Sequence, residues 1–207
     1  MKFFENVEQY TEECALRAVL PSGFKAASVP LSFFPREKEI VNPFTMNLSL
    51  ILLDNPTESF GGLLTSNAFP GHPVVLAREL LTAPRSRGVF INNKIANVCS
   101  PGGLEDCRRL LKSLSGLAGI GEGELFAAST GIIGWKLPVP EMEQALPQLI
   151  ENLDSSSVLS AARGIMTTDS FVKVRRAEAG AGTIVGIAKG AGMIEPNLAT
   201  MLVFLFT

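Results

Sequence analysis

Charge and histidine are scarce in this sequence. Its 207 residues include 18 Lys and Arg, 20 Asp and Glu and a single histidine, so charged residues make up 18% and the formal net charge is −2. This charged share lies below the ~25% of an ordinary soluble domain. A nucleic-acid-binding protein needs a clustered basic surface, so the near-neutral balance argues against that role. The 46% of apolar residues argues equally against a disordered chain.

Cysteines and long apolar runs are also few. Cys14, Cys99 and Cys107 show no CxxC spacing, so a disulfide framework or a zinc site is disfavoured, and we expect small buried thiols in a reducing compartment. The longest apolar runs, residues 48–53 and 201–206, fall short of the ~18 residues that span a bilayer and have the length of buried strands. The N-terminal MKFFENVEQYTEE becomes acidic where a signal peptide needs its apolar stretch, so we expect a cytoplasmic protein without a membrane segment.

Strand and helix patterns alternate along the chain. Short apolar runs bounded by turn residues predict strands, and apolar residues at helical spacing predict helices. The clearest helix is residues 104–117, where Glu105 and Asp106 suit the first turn and glycines from Gly116 onward end it. This interleaving indicates an α/β or α+β fold. The predicted strands are residues 47–53, 88–92, 125–128, 183–188 and 200–206, and the predicted helices are residues 73–81, 104–117, 140–153 and 158–166.

The scarcity of histidine restricts the catalytic options. The lone His72 lies in a Pro-Gly-His-Pro turn and would have to be the base of any Ser-His-Asp or Cys-His site, whereas a structural role fits such a turn better. A threonine hydroxyl can instead use its own N-terminal amine as base, once chain cleavage has exposed that amine. Thr200 follows the small Ala199 and starts an apolar run, so it is the candidate nucleophile. The simpler alternative is a glycine turn that enters a buried strand.

Two further segments carry candidate residues. Residues 127–134 read AASTGIIG, so a strand ends in hydroxyls and a glycine, which lets backbone approach a developing oxyanion closely. Residues 165–170 read IMTTDS, a polar cluster where a helix is predicted to end. An ordinary strand-to-loop turn and an ordinary helix C-terminus remain open as alternatives. The glycine turn at residues 189–192 does not match a phosphate-binding loop, which needs GxxxxGK[ST].

Together these segments resemble those of a known family. Residues 189–202 read KGAGMIEPNLATML, which resembles the processing-site signature of the ornithine acetyltransferase family, the bifunctional glutamate N-acetyltransferases of ArgJ type. AASTGIIG resembles the family's oxyanion segment, and AARGIMTTDSF at residues 161–171 resembles its substrate-site segment. The segments PSGFKAA, LLTSNAFPGHPVVLARELL and GLEDCRRL also fit in order, so the resemblance runs from Pro21 to Thr207.

The resemblance implies a self-processing acyltransferase whose layered sheets are flanked by helices, as in the N-terminal-nucleophile-type fold of ArgJ and DmpA. It implies cleavage between Ala199 and Thr200. Thr200 would then take the acetyl group from N-acetylornithine as an ester and pass it to glutamate, a step of arginine biosynthesis. Thr130 and Gly131 match the family's oxyanion-hole pair.

The resemblance also implies binding partners. Thr167 and Lys189, together with Thr200, match substrate-binding positions. No metal or organic cofactor is implied, although some relatives accept acetyl-CoA as acetyl donor. Residues 1–207 would form a single domain, the alpha-chain half of a precursor, with residues 200–207 starting the beta chain. The family assembly suggests a heterotetramer of two alpha and two beta chains.

The chain departs from the family pattern in several places, among them Val172, where the family usually has proline. The usual Asn-Ser-Gly-Asn-Ala-Asn appears as residues 92–97, with Lys94 and Ile95 in place of small polar residues, which puts the loop geometry in doubt. Residues 172–183 form a shorter link than usual, and the sequence stops at Thr207 without the second half. Two alternatives therefore stay open: a truncated or non-catalytic family fragment, and a self-processing amidohydrolase or aminopeptidase that passes the acyl group to water.

Overall fold

Two β-sheets and the helices around them form the fold. The computed structural model describes residues 4–190 and 200–207, which contain five helices and seven strands. The helices are α1 Val7–Arg17, α2 His72–Leu80, α3 Gly103–Ala118, α4 Val139–Glu151 and α5 Leu159–Gly164. The strands are β1 Phe24–Phe33, β2 Phe44–Thr57, β3 Ser86–Asn92, β4 Leu125–Ser129, β5 Lys173–Ala179, β6 Gly182–Lys189 and β7 Leu202–Phe206.

The larger sheet has the strand order β1-β2-β3-β4. The first two pairings are antiparallel, and β3 pairs with β4 in parallel, with Asn92 beside Ser129 at the last position of both strands. Parallel neighbours end at the same edge of a sheet. The loops that follow β3 and β4 therefore leave the sheet side by side.

Strand β2 explains why this sheet is covered on both faces. Leu48, Leu50 and Leu52 belong to the core formed with α3 and α4, whereas Ile51 belongs to the core formed with α1, α5 and the second sheet. Side chains alternate between the two faces of a strand, so a continuous apolar run requires partners on both sides. The sequence SLILL in β2 therefore indicates a sheet that packs between two layers.

Helix α5 lies very close to the larger sheet. A Cβ at Gly164 would stand 2.2 Å from Ser28 Oγ and 2.3 Å from Ser49 Oγ, two hydroxyls that pair across β1 and β2 at 3.0 Å. Only a residue without a side chain allows this approach. The close contact fixes the end of α5, and with it the start of the segment at residues 165–170.

The smaller sheet is antiparallel, in the order β5-β6-β7. Its inner face packs Val174, Val185, Ile187 and Phe206 against α5 and α1. Its other face is open, and Leu205 is 70% exposed. The strand predicted at residues 200–206 is present as β7, but the expectation that it is buried is wrong, because this face has no covering layer among the described residues.

The structure confirms every helix and strand predicted from the patterns, with ends shifted by a few residues. Elements α1, β1 and β5 were missed, since β1 carries Pro30 inside its run and four of the seven β5 residues are charged. Gly116 lies inside α3 rather than ending it, and Gly119 is the left-handed cap. All three cysteines are free, but Cys99 is exposed rather than buried. Within the described ranges, no helix combines the length and apolar character that crossing a membrane requires.

Replacing Gly164 with alanine should destabilise the fold. The added methyl collides with the two serine hydroxyls, and overpacking of this kind costs about 1–3 kcal/mol of unfolding free energy. Gly116→Ala is the matched control, because it lies in exposed helix with nothing within 4 Å of its added Cβ and should gain about 0.5–1 kcal/mol. Urea unfolding of both variants measures the difference, and equal stabilities would contradict the packing argument.

Candidate active site

The candidate site lies where the loops after β3 and β4 run together. The Thr130 N–H donates to the Asn92 carbonyl at 3.1 Å, and the Ile132 N–H donates to the Lys94 carbonyl at 2.7 Å. Ala96 N–H returns a bond to the Ile132 carbonyl at 2.9 Å. These bonds extend the parallel pairing beyond the strands, so the backbone around Thr130 is held as firmly as a strand.

Buried polar side chains fix the same loops from inside. Ser129 Oγ donates to Asn92 Oδ1 at 2.6 Å, and Asn92 Nδ2 donates to the carbonyls of Asn93 and Ile95 at 3.2 and 2.8 Å. Asn93 Nδ2 reaches the Met166 carbonyl at 2.9 Å, which joins this loop to the segment after α5. Buried polar groups are costly unless they are paired, so the network permits one arrangement of the loops.

Lys94 and Gly131 approach each other more closely than two ordinary residues could. A Cβ at Gly131, whose φ is +133°, would lie 2.1 Å from the Lys94 carbonyl carbon. Lys94 itself has φ +69°, at the place where the resembling family has glycine. A non-glycine residue in the left-handed region costs about 1–2 kcal/mol. Lys94 therefore adopts a backbone conformation that favours glycine, in spite of its side chain.

Lys189 connects two of the predicted site residues. It ends β6 with only 6% of its surface exposed, and its Nζ donates to Thr130 Oγ1 at 3.0 Å and to the Thr200 carbonyl at 3.1 Å. Burial lowers the pKa of Lys189 below its ordinary value; the negative charge of Asp169 opposes the shift and the positive charge of Lys173 adds to it. The structure thus brings Thr130, Lys189 and Thr200 together.

Asp169 is a residue that the sequence analysis did not single out. Its side chain is 1% exposed, and its carboxylate accepts hydrogen bonds from Lys173 Nζ at 2.6 Å, the Gly190 N–H at 2.8 Å and the Thr167 N–H at 3.3 Å. Burial works against ionisation, but these three hydrogen bonds outweigh it and hold the pKa of Asp169 below its ordinary value. The polar cluster TTDS was a visible signal, yet only the fold shows which of its members turns inward.

The other predicted residues differ in whether a hydrogen bond joins them to the group around Lys189. Thr167 is joined to it through Asp169, and Thr200 is half-buried just before β7. Ala199, and with it the proposed cleavage bond, lies outside the described residues. His72 stands at the start of α2, where its Nε2 lies 3.0 Å from the Ser100 carbonyl, and no described hydrogen bond joins it to the Lys189 group.

Two donors at the site have no acceptor among residues 4–190 and 200–207. Lysine ammonium only donates, so Thr130 Oγ1 must accept from Lys189, and its own hydrogen points elsewhere. Within the described part of the chain, neither this hydroxyl nor the neighbouring Gly131 N–H donates to any group. Adjacent fixed donors of this kind can stabilise an oxyanion. The described residues contain no cluster of three or more His, Cys, Asp and Glu that could hold a metal ion.

Comparisons with known proteins agree with these features. A sequence model of the ArgJ family matches residues 37–207. Arginine biosynthesis bifunctional protein ArgJ of Nitratidesulfovibrio vulgaris is 43% identical over 188 residues, which cover 88% of this chain and 46% of that protein. The protein of the same name from Geobacter sulfurreducens is 39% identical over 176 residues, covering 83% and 44% respectively. The chain therefore spans about half the length of the curated relatives it matches.

The fold also has a counterpart among solved structures. The ornithine acetyltransferase of Mycobacterium tuberculosis, complexed with ornithine, superposes with a TM-score of 0.72 at 25% identity. The match covers 90% of this chain and 97% of that chain. It confirms the predicted α/β fold of layered sheets flanked by helices.

Replacing Gly131 with alanine should disrupt the turn. The methyl group collides with the Lys94 backbone, so we expect a loss of about 2 kcal/mol or more, from overpacking added to backbone strain. Gly134→Ala is the matched control: its φ is +85°, but nothing lies within 4 Å of its added Cβ, so it should lose only the strain of about 1–2 kcal/mol. Chemical unfolding compares them, and losses of equal size would refute the collision.

The contribution of Asp169 to stability should depend on pH. Its folded pKa lies below the unfolded value of 3.8, so the stabilisation is fully present above that pH and is lost as the pH falls through the folded pKa. Asp169→Asn removes the charge and keeps the shape. The difference in unfolding free energy between the wild type and this variant should be largest at neutral pH and shrink in acid. A difference that does not change with pH would contradict the role of the carboxylate charge.

Proposed function

Because the chain belongs to the ArgJ family, we propose that it is part of a glutamate N-acetyltransferase that moves acetyl from N-acetylornithine to glutamate in arginine biosynthesis. The observation that carries the proposal is the convergence of Lys189, Thr130 and Thr200. Lys189 lies 59 residues from Thr130 and 11 residues from Thr200 in the sequence, yet its ammonium group donates to both. The Thr130 hydroxyl and the Gly131 N–H, which have no acceptor among the described residues, lie beside it. Such a group fits acyl transfer through a hydroxyl nucleophile.

The nucleophile in this proposal is made by the chain itself. Thr200 Oγ1 attacks the Ala199 carbonyl, the peptide C–N bond breaks, and the Thr200 nitrogen takes up a proton as the ester forms. Water then hydrolyses the ester, which releases the Ala199 carboxylate and leaves Thr200 with a free amine. An α-amine has an ordinary pKa of ~8, so at neutral pH it can take the hydroxyl proton during the next attack.

Acetyl transfer then takes place in two halves. The Thr200 hydroxyl attacks the acetyl carbonyl of N-acetylornithine, and the amide bond breaks to give acetyl-threonine and ornithine. The amine of glutamate next attacks the ester, so that N-acetylglutamate leaves and the hydroxyl is restored. Both halves pass through a tetrahedral oxyanion, and we assign its stabilisation to the Thr130 hydroxyl and the Gly131 N–H. Losing one such donor typically costs about 100-fold to 1000-fold in rate.

The two substrates share an α-amino-acid core, so one pocket can hold both. We assign Lys189 to the substrate carboxylate, since a buried ammonium forms a strong charge-assisted bond with such a group. Thr167 supports the same pocket through Asp169. The proposal needs no metal or organic cofactor, and it allows acetyl-CoA as an alternative acetyl donor.

A second chain from the same precursor is the proposed partner of this one. The open face of the smaller sheet, where Val203 and Leu205 of β7 are exposed, offers apolar surface for the residues of the second chain that follow Thr207. The proposed assembly is a heterotetramer of two alpha and two beta chains, in the cytoplasm. Residues 200–207 would then belong to the second chain.

Substitution of Thr200 tests the proposal directly. In the product of the complete reading frame, Thr200→Ala should abolish both self-cleavage and acetyl transfer, because the attacking hydroxyl is gone. Mass spectrometry of the purified protein follows cleavage, and formation of N-acetylglutamate from N-acetylornithine and glutamate follows transfer. The matched control is Thr82→Ala, an exposed threonine just after α2 whose hydroxyl donates to the Glu79 carbonyl.

The outcomes separate the three functional hypotheses. Cleavage of the precursor into two chains between Ala199 and Thr200, together with formation of N-acetylglutamate, supports the transferase. Free acetate without N-acetylglutamate supports the hydrolase. A wild-type protein that stays a single intact chain supports the non-catalytic reading, and cleavage that persists in Thr200→Ala refutes the assigned nucleophile.

A further inference from the structure

We propose that Asp169 is a positioning residue for Thr130: by way of Lys189, it sets the direction in which the Thr130 hydroxyl donates its hydrogen. No role was assigned to Asp169 by the sequence patterns or by the family resemblance. The inference deepens the proposed function and rests on it only for the catalytic consequence.

The first step is the chemistry of the Lys189–Thr130 hydrogen bond. A protonated lysine has three donors and no acceptor, so at 3.0 Å the Thr130 oxygen must accept. The hydroxyl hydrogen is then directed away from Lys189. A neutral amine has a lone pair and can accept that hydrogen instead. A protonated Lys189 therefore leaves the Thr130 hydrogen available to an oxyanion, whereas a neutral Lys189 can compete for that hydrogen.

The second step is the position of the Asp169 carboxylate. Oδ1 accepts from the Gly190 N–H at 2.8 Å, and Gly190 directly follows Lys189 in the chain. Oδ2 accepts from the Thr167 N–H at 3.3 Å. One buried carboxylate thus ties the end of β6, where Lys189 lies, to the substrate-site segment after α5.

The third step concerns the charges around Lys189. In the described ranges of the uncleaved chain, the charged groups that act on its ammonium are Asp169, which favours the protonated form, and Lys173, which disfavours it. After the proposed cleavage the Thr200 amine joins them near Lys189, and it is common to the wild type and to every variant compared below. Burial is the largest influence and lowers the pKa of Lys189. The carboxylate of Asp169 therefore opposes both other effects and favours the protonated form of Lys189, together with the hydrogen bonds that Nζ donates to Thr130 and to the Thr200 carbonyl.

The charge of Asp169 can be separated from its shape. An asparagine side chain keeps one acceptor oxygen for the Gly190 N–H, loses the second acceptor that receives the Thr167 N–H, and carries no charge. A purely structural role predicts a loss of stability with no change at Lys189. A positioning role predicts that Lys189 loses its proton at lower pH.

Lysine titration by NMR tests this difference in the full-length protein. With ¹⁵N-labelled lysine, the Lys189 resonance is identified by its absence in Lys189→Arg. Asp169→Asn should lower the pKa of Lys189, because the favourable charge is removed. Lys173→Gln should raise the pKa of Lys189, because the unfavourable charge is removed, and Lys173 is 41% exposed, so this variant remains informative if Asp169→Asn fails to fold.

The matched control is Asp154→Asn. The Asp154 carboxylate is exposed and bonds only to Ser156 and the neighbouring backbone, so the pKa of Lys189 should stay at its wild-type value. Opposite shifts in Asp169→Asn and Lys173→Gln support the proposal. A shift in Asp169→Asn no larger than that in Asp154→Asn, or a Lys173→Gln variant whose Lys189 titrates as in the wild type, overturns it.

The pH profile of acetyl transfer tests the catalytic consequence. In Asp169→Asn the alkaline limb of kcat should move to lower pH, and at alkaline pH the rate should fall about 100-fold or more relative to wild type, the loss expected for one oxyanion donor. Parallel wild-type and variant profiles would refute the effect on Thr130. If the wild type transfers no acetyl, the proposed function fails, and the titration alone decides the link between Asp169 and Lys189.

Discussion

The parallel pairing of β3 with β4 is the constraint on which the rest of the site depends. It sets Asn92 beside Ser129, so the loops after both strands leave from one edge and continue to exchange backbone hydrogen bonds. Gly131 passes so close to the Lys94 carbonyl that no side chain fits between them. The sheet therefore holds the backbone of Thr130 and Gly131 in place, and the Lys189 contact adds the direction of the Thr130 hydroxyl.

The site also requires two charged side chains, Lys189 and Asp169, to stay buried. Lys189 and Asp169 are both nearly inaccessible to water, and ions in such places are stable only when partners replace the lost hydration. Asp169 gains an ammonium and two backbone N–H groups, whereas Lys189 gains a hydroxyl and a carbonyl. The charge of Asp169 opposes the cost of burying Lys189, and Lys173 opposes the cost of burying Asp169. Fold and chemistry are thus coupled, since the bonds that hold β6 to the segment after α5 also set the protonation of the site.

Sequence patterns predicted the fold well where burial dominates. Apolar runs and helical spacing located β2, β3 and α3, because these elements turn continuous apolar faces to a core. The patterns failed at β1 and β5, where a proline and four charged residues hide strands that lie at sheet edges. They also failed at β7, whose apolar residues suggested burial although one face is open. The pattern along a strand shows which of its side chains are apolar. Only the neighbouring layers of the fold decide which of its faces are buried.

The sequence by itself determined the residue types and the order of the motifs, from the Ser-Thr-Gly turn to the threonine that follows Ala199. These are local properties, so a resemblance in order was enough to indicate a family. The sequence did not determine which hydroxyl meets which charge. Lys189 lies 59 residues from Thr130, and Asp169 lies 21 residues from Gly190, so their contacts exist only after two sheets and α5 have packed together. Tertiary structure alone decided that Asp169 turns inward and that Lys189 donates to Thr130, because long-range packing sets both the burial and the direction of those groups.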